Sequence, residues 1–171
     1  MIDAIRDYWN HRIHDLEMTE HPVGTKAFFD DLDDYRFDKL RYLPELVDFG
    51  GFRGQRLLEV GCGIGTDLAR FAGGGALVTG VDLSQTAIDL ATQNFAGLGL
   101  TGDLRMGDGE SLPFPDASFD VVYGHGVLQY AARPPRPPVR RRCPRRSRPG
   151  RRECRPAGGG RAASVAAVIV R

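Results

Sequence analysis

The sequence predicts an α/β protein, a parallel sheet wound on both faces by helices, and three observations carry that prediction. The apolar run Arg56-Leu-Leu-Glu-Val60 reads as a strand and delivers the chain into Gly61-Cys-Gly-Ile-Gly65, three alternating glycines. A second short strand, Leu77-Val-Thr-Gly-Val-Asp82, ends in a carboxylate 23 residues after Glu59. The apolar spacing then changes from strand-like to helical: Ser84 stands as an N-cap, and Ala87, Ile88, Ala91 and Phe95 fall on one stripe.

Each element has its own justification. A loop of alternating glycines carries almost no side-chain bulk, accepts positive φ and lets a ligand lie against bare backbone. Its N–H groups, with those of the following helix, point at whatever binds. The dinucleotide fingerprint requires G-x-G-x-x-G, and position 66 is Thr, so that pattern is not met. Glu59, two positions before the first glycine, would repel a pyrophosphate but suits an amine. The loop therefore points to a zwitterionic nucleoside bearing an amino acid, and away from a nicotinamide oxidoreductase. Asp82, ending the second strand of a βαβ unit, is placed to accept from ribose hydroxyls. A third strand is short, about Leu104 to Met106, and runs into Gly107-Asp-Gly-Glu-Ser-Leu-Pro-Phe-Pro-Asp116. A fourth, Phe119 to Tyr123, leads into Gly124-His125-Gly126. Before the glycine loop, residues 1–53 read as helical, with Phe37, Leu40, Leu43 and Val47 spaced to pack on the sheet and Pro44 kinking or restarting the helix.

Taken in order, the glycine loop, Val81-Asp-Leu-Ser84, Gly107-Asp-Gly-Glu-Ser-Leu-Pro-Phe114 and Ser118-Phe-Asp-Val-Val-Tyr123 resemble the class I S-adenosylmethionine-dependent methyltransferases, in particular their small-molecule group. The resemblance covers roughly residues 35 to 130, and the leader with Tyr8-Trp9-Asn10 and Phe28-Phe29 is similar to the segment that caps the cofactor site in some members. It implies a Rossmann-like sheet of seven strands, of which this chain supplies four, with Ala163 to Val170 able to add one more at most. It implies S-adenosyl-L-methionine as cofactor and a small-molecule or lipid methyl acceptor. Glu59 and the backbone of Gly61, Cys62, Gly63 and Gly65 would hold the methionine end. Asp82 would take the ribose hydroxyls, Leu83 the adenine face, Asp108 the adenine amine, and the Gly109 N–H a ring nitrogen. Gly124 and His125 would sit near the sulfonium, and His125 and Tyr123 are the candidate bases.

Plainer readings accompany several of these residues. Asp108 lies in Gly-Asp-Gly, which is turn chemistry in its own right. Cys62 between two glycines reads as a small residue tolerated in a tight loop. His11 and His14 share a helical face, yet no third ligand suggests itself and no metal is expected. The stretch Asp30 to Asp38 reads as a solvated helix face.

Composition sets the outer bounds. One domain is expected at 171 residues. The charged start argues against a signal peptide, and the longest apolar run is too short to span a bilayer. Three Cys without paired spacing suit a reducing, cytoplasmic setting. The near-neutral net charge conceals a seam: residues 1–132 carry a net charge of −11, while residues 133–171 hold 13 Arg against one Glu. Arg, Pro, Gly and Ala dominate after Ala132, as in translation of GC-rich DNA in a shifted frame. On that expectation the C-terminal strands are missing, the fourth strand is left on an open edge, and residues 133–171 form a disordered tail behind a leader (1–53) and a partial core (54–132). Such a chain would be aggregation-prone and inactive. The alternative is a genuine basic tail that binds nucleic-acid phosphates, although it has no aromatic residue to stack on bases.

Overall fold

The computed structural model describes residues 2–12 and 16–127, and the backbone of 166–170. Its leader forms α1 (Ile2–His11), a 3-10 turn at Leu16–Met18, α2 (Lys26–Lys39) and the short α3 (Leu43–Leu46). Then follow β1 (Arg56–Val60), α4 (Thr66–Gly73), β2 (Leu77–Asp82), α5 (Gln85–Gly97), β3 (Asp103–Met106), β4 (Val121–His125) and β5 (Ala166–Val170). The five strands form one sheet in the order β3-β2-β1-β4-β5, and every neighbouring pair is parallel. That reversal of order on either side of β1 is the arrangement that opens a crevice at the carboxyl ends of the central strands.

The predicted starts and stops have visible causes. Thr25 caps α2 by accepting from the Phe28 N–H, and Ser84 caps α5 by accepting from the Ala87 N–H. Pro44 occupies the first turn of α3, where its missing N–H costs nothing, so it restarts a helix rather than kinking one. β1 and β2 fall where the sequence places them. β4 begins two residues later than expected. Its approach is bridged to β1 by the Asp120 N–H on the Arg56 carbonyl at 2.9 Å and the Arg56 N–H on the Asp120 carboxylate at 3.0 Å. Phe119 instead packs on Phe114, ring centroids 5.0 Å apart.

The strands alternate their side chains between two cores. On one face Leu57, Val78, Val121 and Tyr123 pack with Leu68 and Phe71 of α4 and with Ile88 and Phe95 of α5. Leu43, Val47, Phe37 and Leu40 close that core from the leader, as their spacing predicts. On the other face Leu58, Val60, Val81 and Val122 pack with Phe119, and the loop residues Leu112 and Phe114 join them.

The expectation of an exposed β4 is corrected. β5 pairs with it in register from Val121 opposite Ala166 to His125 opposite Val170, so β4 is internal and the apolar run near the C-terminus supplies the fifth strand that the sequence allowed for. The rest of the segment read as a tail, residues 133–165, lies outside the described residues. At the opposite edge β3 is blunted by charge, with Arg105 paired to Asp103.

Phe71 is the hub of the larger core, with ring centroids 4.7 Å from Phe49, 5.7 Å from Phe52 and 5.0 Å from Tyr123. Phe71→Ala should cost about 3–5 kcal/mol of stability, read as a lowered urea midpoint.

Candidate functional site

The carboxyl ends of β1, β2 and β4 open into a cleft of about 600 Å³, roofed by α1 and α2. Its floor is the glycine loop, held against β2 by three backbone donors. The Gly61 and Cys62 N–H groups donate to the Val81 carbonyl at 2.7 and 3.1 Å, and the Gly63 N–H donates to Asp82 Oδ2 at 2.8 Å. Gly61 has φ of +72°, and a Cβ there would meet Val127 Cγ2 at 2.3 Å, so both conformation and space exclude a side chain. Gly63 also has positive φ, +54°, but a Cβ on it would meet nothing within 4 Å. The space beside it belongs to the cleft.

Three carboxylates stand around this floor in different states. Asp82 accepts from Gly63 N–H on one oxygen and, at 2.9 Å, from Ser84 N–H on the other. Burial pushes its pKa above the usual value, against the pull of these backbone donors. Glu59 is only 3% exposed, and its Oε2 is buried without a hydrogen-bond partner among the described residues. Burial first, and the nearby charge of Asp67 second, push its pKa well up. A buried carboxylate oxygen without a donor costs free energy, and such an atom in a cleft wall is a vacancy shaped for a cation or donor. Asp108 closes a turn, accepting from the Glu110 N–H at 2.8 Å, and still lines the cleft. Its turn role and its cleft position coexist.

Of the residues singled out from sequence, Glu59, Gly61, Cys62, Gly63, Asp82 and Leu83 line the cleft, as do Asp108, Gly109 and His125. Gly109 is needed for close approach, since a Cβ there would meet Val60 Cγ1 at 2.8 Å. The Cys62 thiol is buried and its pKa is pushed up by burial and by Glu59 and Asp82, which keeps it protonated and inert.

Three further candidates are placed away from the cleft's lining or have their polar atoms engaged elsewhere. Gly65, with φ of +80°, caps α4, and a Cβ on it would meet Phe95 at 3.2 Å and Ala91 at 3.3 Å, so it serves the packing of the loop on α5. Gly124 is buried in β4 beside the Val60 carbonyl and does not line the cleft. Tyr123 is fully buried, and its hydroxyl donates to Asp67 Oδ2 at 2.7 Å. Burial and the adjacent Asp67 raise its pKa, which removes it as a base.

The sequence reading missed the group at the back of the cleft. Asp67, in the first turn of α4 and 2% exposed, receives Arg36 Nε on Oδ1 at 2.6 Å and Arg36 Nη2 on Oδ2 at 2.5 Å. Arg36 Nη2 also reaches His125 Nδ1 at 3.2 Å. Burial opposes the charge on Arg36, but its bond to Asp67 outweighs that and its pKa is raised. Because a guanidinium only donates, Nδ1 of His125 accepts; the ring proton is therefore on Nε2, facing the Tyr42 hydroxyl at 3.3 Å. Burial and Arg36 lower the His125 pKa, so the ring is neutral with its free lone pair spent. The available signal was that Arg36 is the single cation within Asp30 to Asp38. That stretch is otherwise as expected, with Asp30 paired to Lys26 and Asp33 to Arg70 on the surface.

His14 lies outside the described residues, and among the described residues no group of three or more His, Cys, Asp and Glu could hold a metal. Among them also, no helix is long and apolar enough to cross a membrane.

A family described as methyltransferase domain matches residues 57–150. The chain belongs to this methyltransferase domain family. The match covers β1 to β4 and runs past the composition seam at Arg133. The ubiquinone biosynthesis O-methyltransferase of Maricaulis maris is 40% identical over 84 residues, 48% of this chain and 33% of that protein. The biotin biosynthesis bifunctional protein BioHC of Cellvibrio japonicus is 36% identical over 96 residues, 56% of this chain and 18% of that protein. The chain thus spans a third or less of the length of these two relatives. A structure of geranyl diphosphate C-methyltransferase from Streptomyces coelicolor shares the fold, with a TM-score of 0.57 at 19% identity over 76% of this chain and 55% of the other.

Arg36→Met should destabilise the methyltransferase domain by about 3–5 kcal/mol, because Asp67 is left buried without its counter-charge, with only the Tyr123 hydroxyl on it; Arg36→Met with Asp67→Leu should recover much of the loss in urea unfolding. Glu59 should behave in the opposite sense. Its folded pKa lies above the ordinary 4.5, so its contribution is full below that value and is lost as pH rises. Glu59→Gln should therefore unfold at higher urea than the parent, with a difference that grows from about pH 4 to about pH 8.

Proposed function

We propose that the cleft binds S-adenosyl-L-methionine and that the domain transfers its methyl group to a small-molecule or lipid acceptor. The observation that carries this reading is Glu59 Oε2, buried at the glycine loop without a donor. The ammonium of a methionine moiety supplies the missing donor and charge, and space beside Gly63 receives the rest of that moiety. Both oxygens of Asp82 are fixed by backbone N–H groups yet keep lone pairs for the ribose hydroxyls. Leu83 would cover the adenine, Asp108 would accept from its exocyclic amine, and the Gly109 N–H would donate to a ring nitrogen.

When bound, the cofactor supplies a methyl carbon already activated by a positively charged sulfur. Held by Glu59, the glycine loop and Asp82, it would offer that carbon to an acceptor lone pair, with the sulfur as leaving group keeping the bonding pair. The chain's part is alignment and exclusion of water: the glycine loop and Asp82 fix one partner, and the roof of α1 and α2 confines the other. Proximity and orientation of this kind lower a barrier by several kcal/mol, up to roughly 7–11 in well-aligned systems. Neither candidate base fits the reaction, since Tyr123 is sealed on Asp67 and His125 has given its lone pair to Arg36. His125 Nε2 instead meets the Tyr42 hydroxyl at 3.3 Å.

The segment 133–171 has its own test. Its composition favours a shifted frame, whereas the family match through residue 150 favours a continuous domain. Resequencing the coding DNA across codon 133 decides, and an inserted or missing nucleotide there is the result that supports the shift.

Calorimetry with S-adenosylmethionine tests the cofactor assignment. Glu59→Gln should stay folded and lose at least tenfold in affinity, because a buried charge-assisted bond contributes about 1.5–3 kcal/mol. Asp82→Ala should lose at least as much, and Asp108→Ala less, since it would meet one amine. Parent-like affinity in Glu59→Gln overturns the assignment.

A further inference from the structure

The four loop residues whose backbone the family resemblance assigns to the methionine end have their N–H groups spent inside the fold. Gly61 and Cys62 donate to the Val81 carbonyl, Gly63 donates to Asp82 Oδ2, and Gly65 donates to the Cys62 carbonyl at 2.9 Å. A backbone N–H is a single donor, so these four have none left for a ligand. Glu59 answers the ammonium of a methionine moiety, but the carboxylate on the same carbon brings its own charge into the cleft. Burying that charge is costly unless a donor from another wall meets it.

α2 carries such a donor. Arg36 spends Nε and Nη2 on the Asp67 carboxylate, and Nη2 also meets His125. Those contacts occupy one edge of the guanidinium, and among the described residues no hydrogen bond uses the two N–H groups of Nη1. The side chain is 28% exposed and lines the cleft together with Glu59. Burial and Asp67 push the Glu59 pKa up, and the Arg36 guanidinium stands close enough to pull against them. A planar fork held along one edge is already oriented for a carboxylate on the other, with little side-chain freedom left to lose.

We propose that Arg36 is a cofactor-binding residue, its Nη1 donating to the carboxylate of the methionine moiety whose ammonium meets Glu59. The inference rests on S-adenosylmethionine as the cofactor, and it adds a contact from the roof to the one on the floor. The two ends of the zwitterion are then read by opposite charges, one from α2 and one from β1. The acids around the floor, Glu59, Asp67, Asp82 and Asp108, favour the more positive of two ligands. A preference for the ligand that bears the carboxylate therefore requires a specific donor.

Decarboxylated S-adenosylmethionine keeps the sulfonium, the nucleoside and the amine and lacks only the carboxylate, which makes it the direct probe. Both ligands are titrated by calorimetry into the intact parent chain and into two variants. Arg36→Lys keeps a single point charge for Asp67, and Arg36→Met with Asp67→Leu removes the buried pair together. The parent should bind S-adenosylmethionine at least roughly tenfold tighter than the decarboxylated ligand, the size of a charge-assisted hydrogen bond. In either variant that preference should disappear through loss of S-adenosylmethionine affinity, with the decarboxylated ligand little changed. Equal binding of the two ligands by the parent overturns the proposal without any variant. So does a preference that survives in a folded variant, which puts the carboxylate on other donors. An equal loss of both ligands overturns it too, since Arg36 then only holds the roof. S-adenosylmethionine binding without a carboxylate preference sinks this inference alone, whereas a parent that does not bind S-adenosylmethionine sinks the cofactor reading and this inference with it.

Discussion

The whole site hangs on the way the glycine loop is stitched to the end of β2. Val81 spends its carbonyl on two loop N–H groups, Asp82 spends one carboxylate oxygen on the Gly63 N–H, and its carbonyl takes the Gly107 N–H at 2.8 Å from the far side. One short segment of β2 thereby fixes the exits of β1 and β3 at once. Loops with so little side-chain bulk have large conformational freedom to lose. Here that freedom is removed by bonds to a strand in the middle of a sheet, so the cleft floor has the rigidity of the sheet itself.

The roof is joined to that floor by charge. Arg36 reaches from α2 into the first turn of α4 and to the end of β4, and the sheet-side partners Asp67 and Tyr123 are almost wholly buried. Breaking such a buried pair costs more than an exposed one, so α2 is held in place by a contact that tolerates little sliding. The same cluster leaves Glu59 short of a partner. Two buried acids share one arginine, a stability cost that falls on Glu59.

Much of this was legible in the sequence because the signals were local. Alternating glycines after an apolar run, an acid closing the next strand and a serine ahead of a helical stripe each act within a few residues, and β1, β2, α5 and the Ser84 cap stand where those patterns put them. The corrections share a different origin. Gly65 looked like its two neighbours, and only the packing of Phe95 and Ala91 against it separates helix contact from ligand contact. Tyr123 and His125 looked alike as candidate bases until Asp67 and Arg36, 56 and 89 residues away in sequence, consumed their polar atoms. Arg36 itself was hidden by its neighbours, since a cation among aspartates reads as part of a solvated face, and which way a helix turns one residue is decided by the partner it meets.

The attachment of α1 has a different character from that of α2. None of its residues is buried, and it meets α5 through hydroxyl groups: Ser84 Oγ donates to Asn10 Oδ1 at 2.9 Å and lies 3.3 Å from the Trp9 carbonyl, and Thr86 Oγ donates to the Asn10 carbonyl at 3.1 Å. Lifting α1 therefore trades these hydrogen bonds for bonds to water and uncovers the cleft-facing side of Ile2, Ile5 and Trp9, none of which is fully buried. Helices that bury no residue belong among the segments that open most readily in a folded protein. The two halves of the roof thus differ in how they are held: α2 by an ion pair on the buried Asp67, α1 by hydrogen bonds from the start of α5.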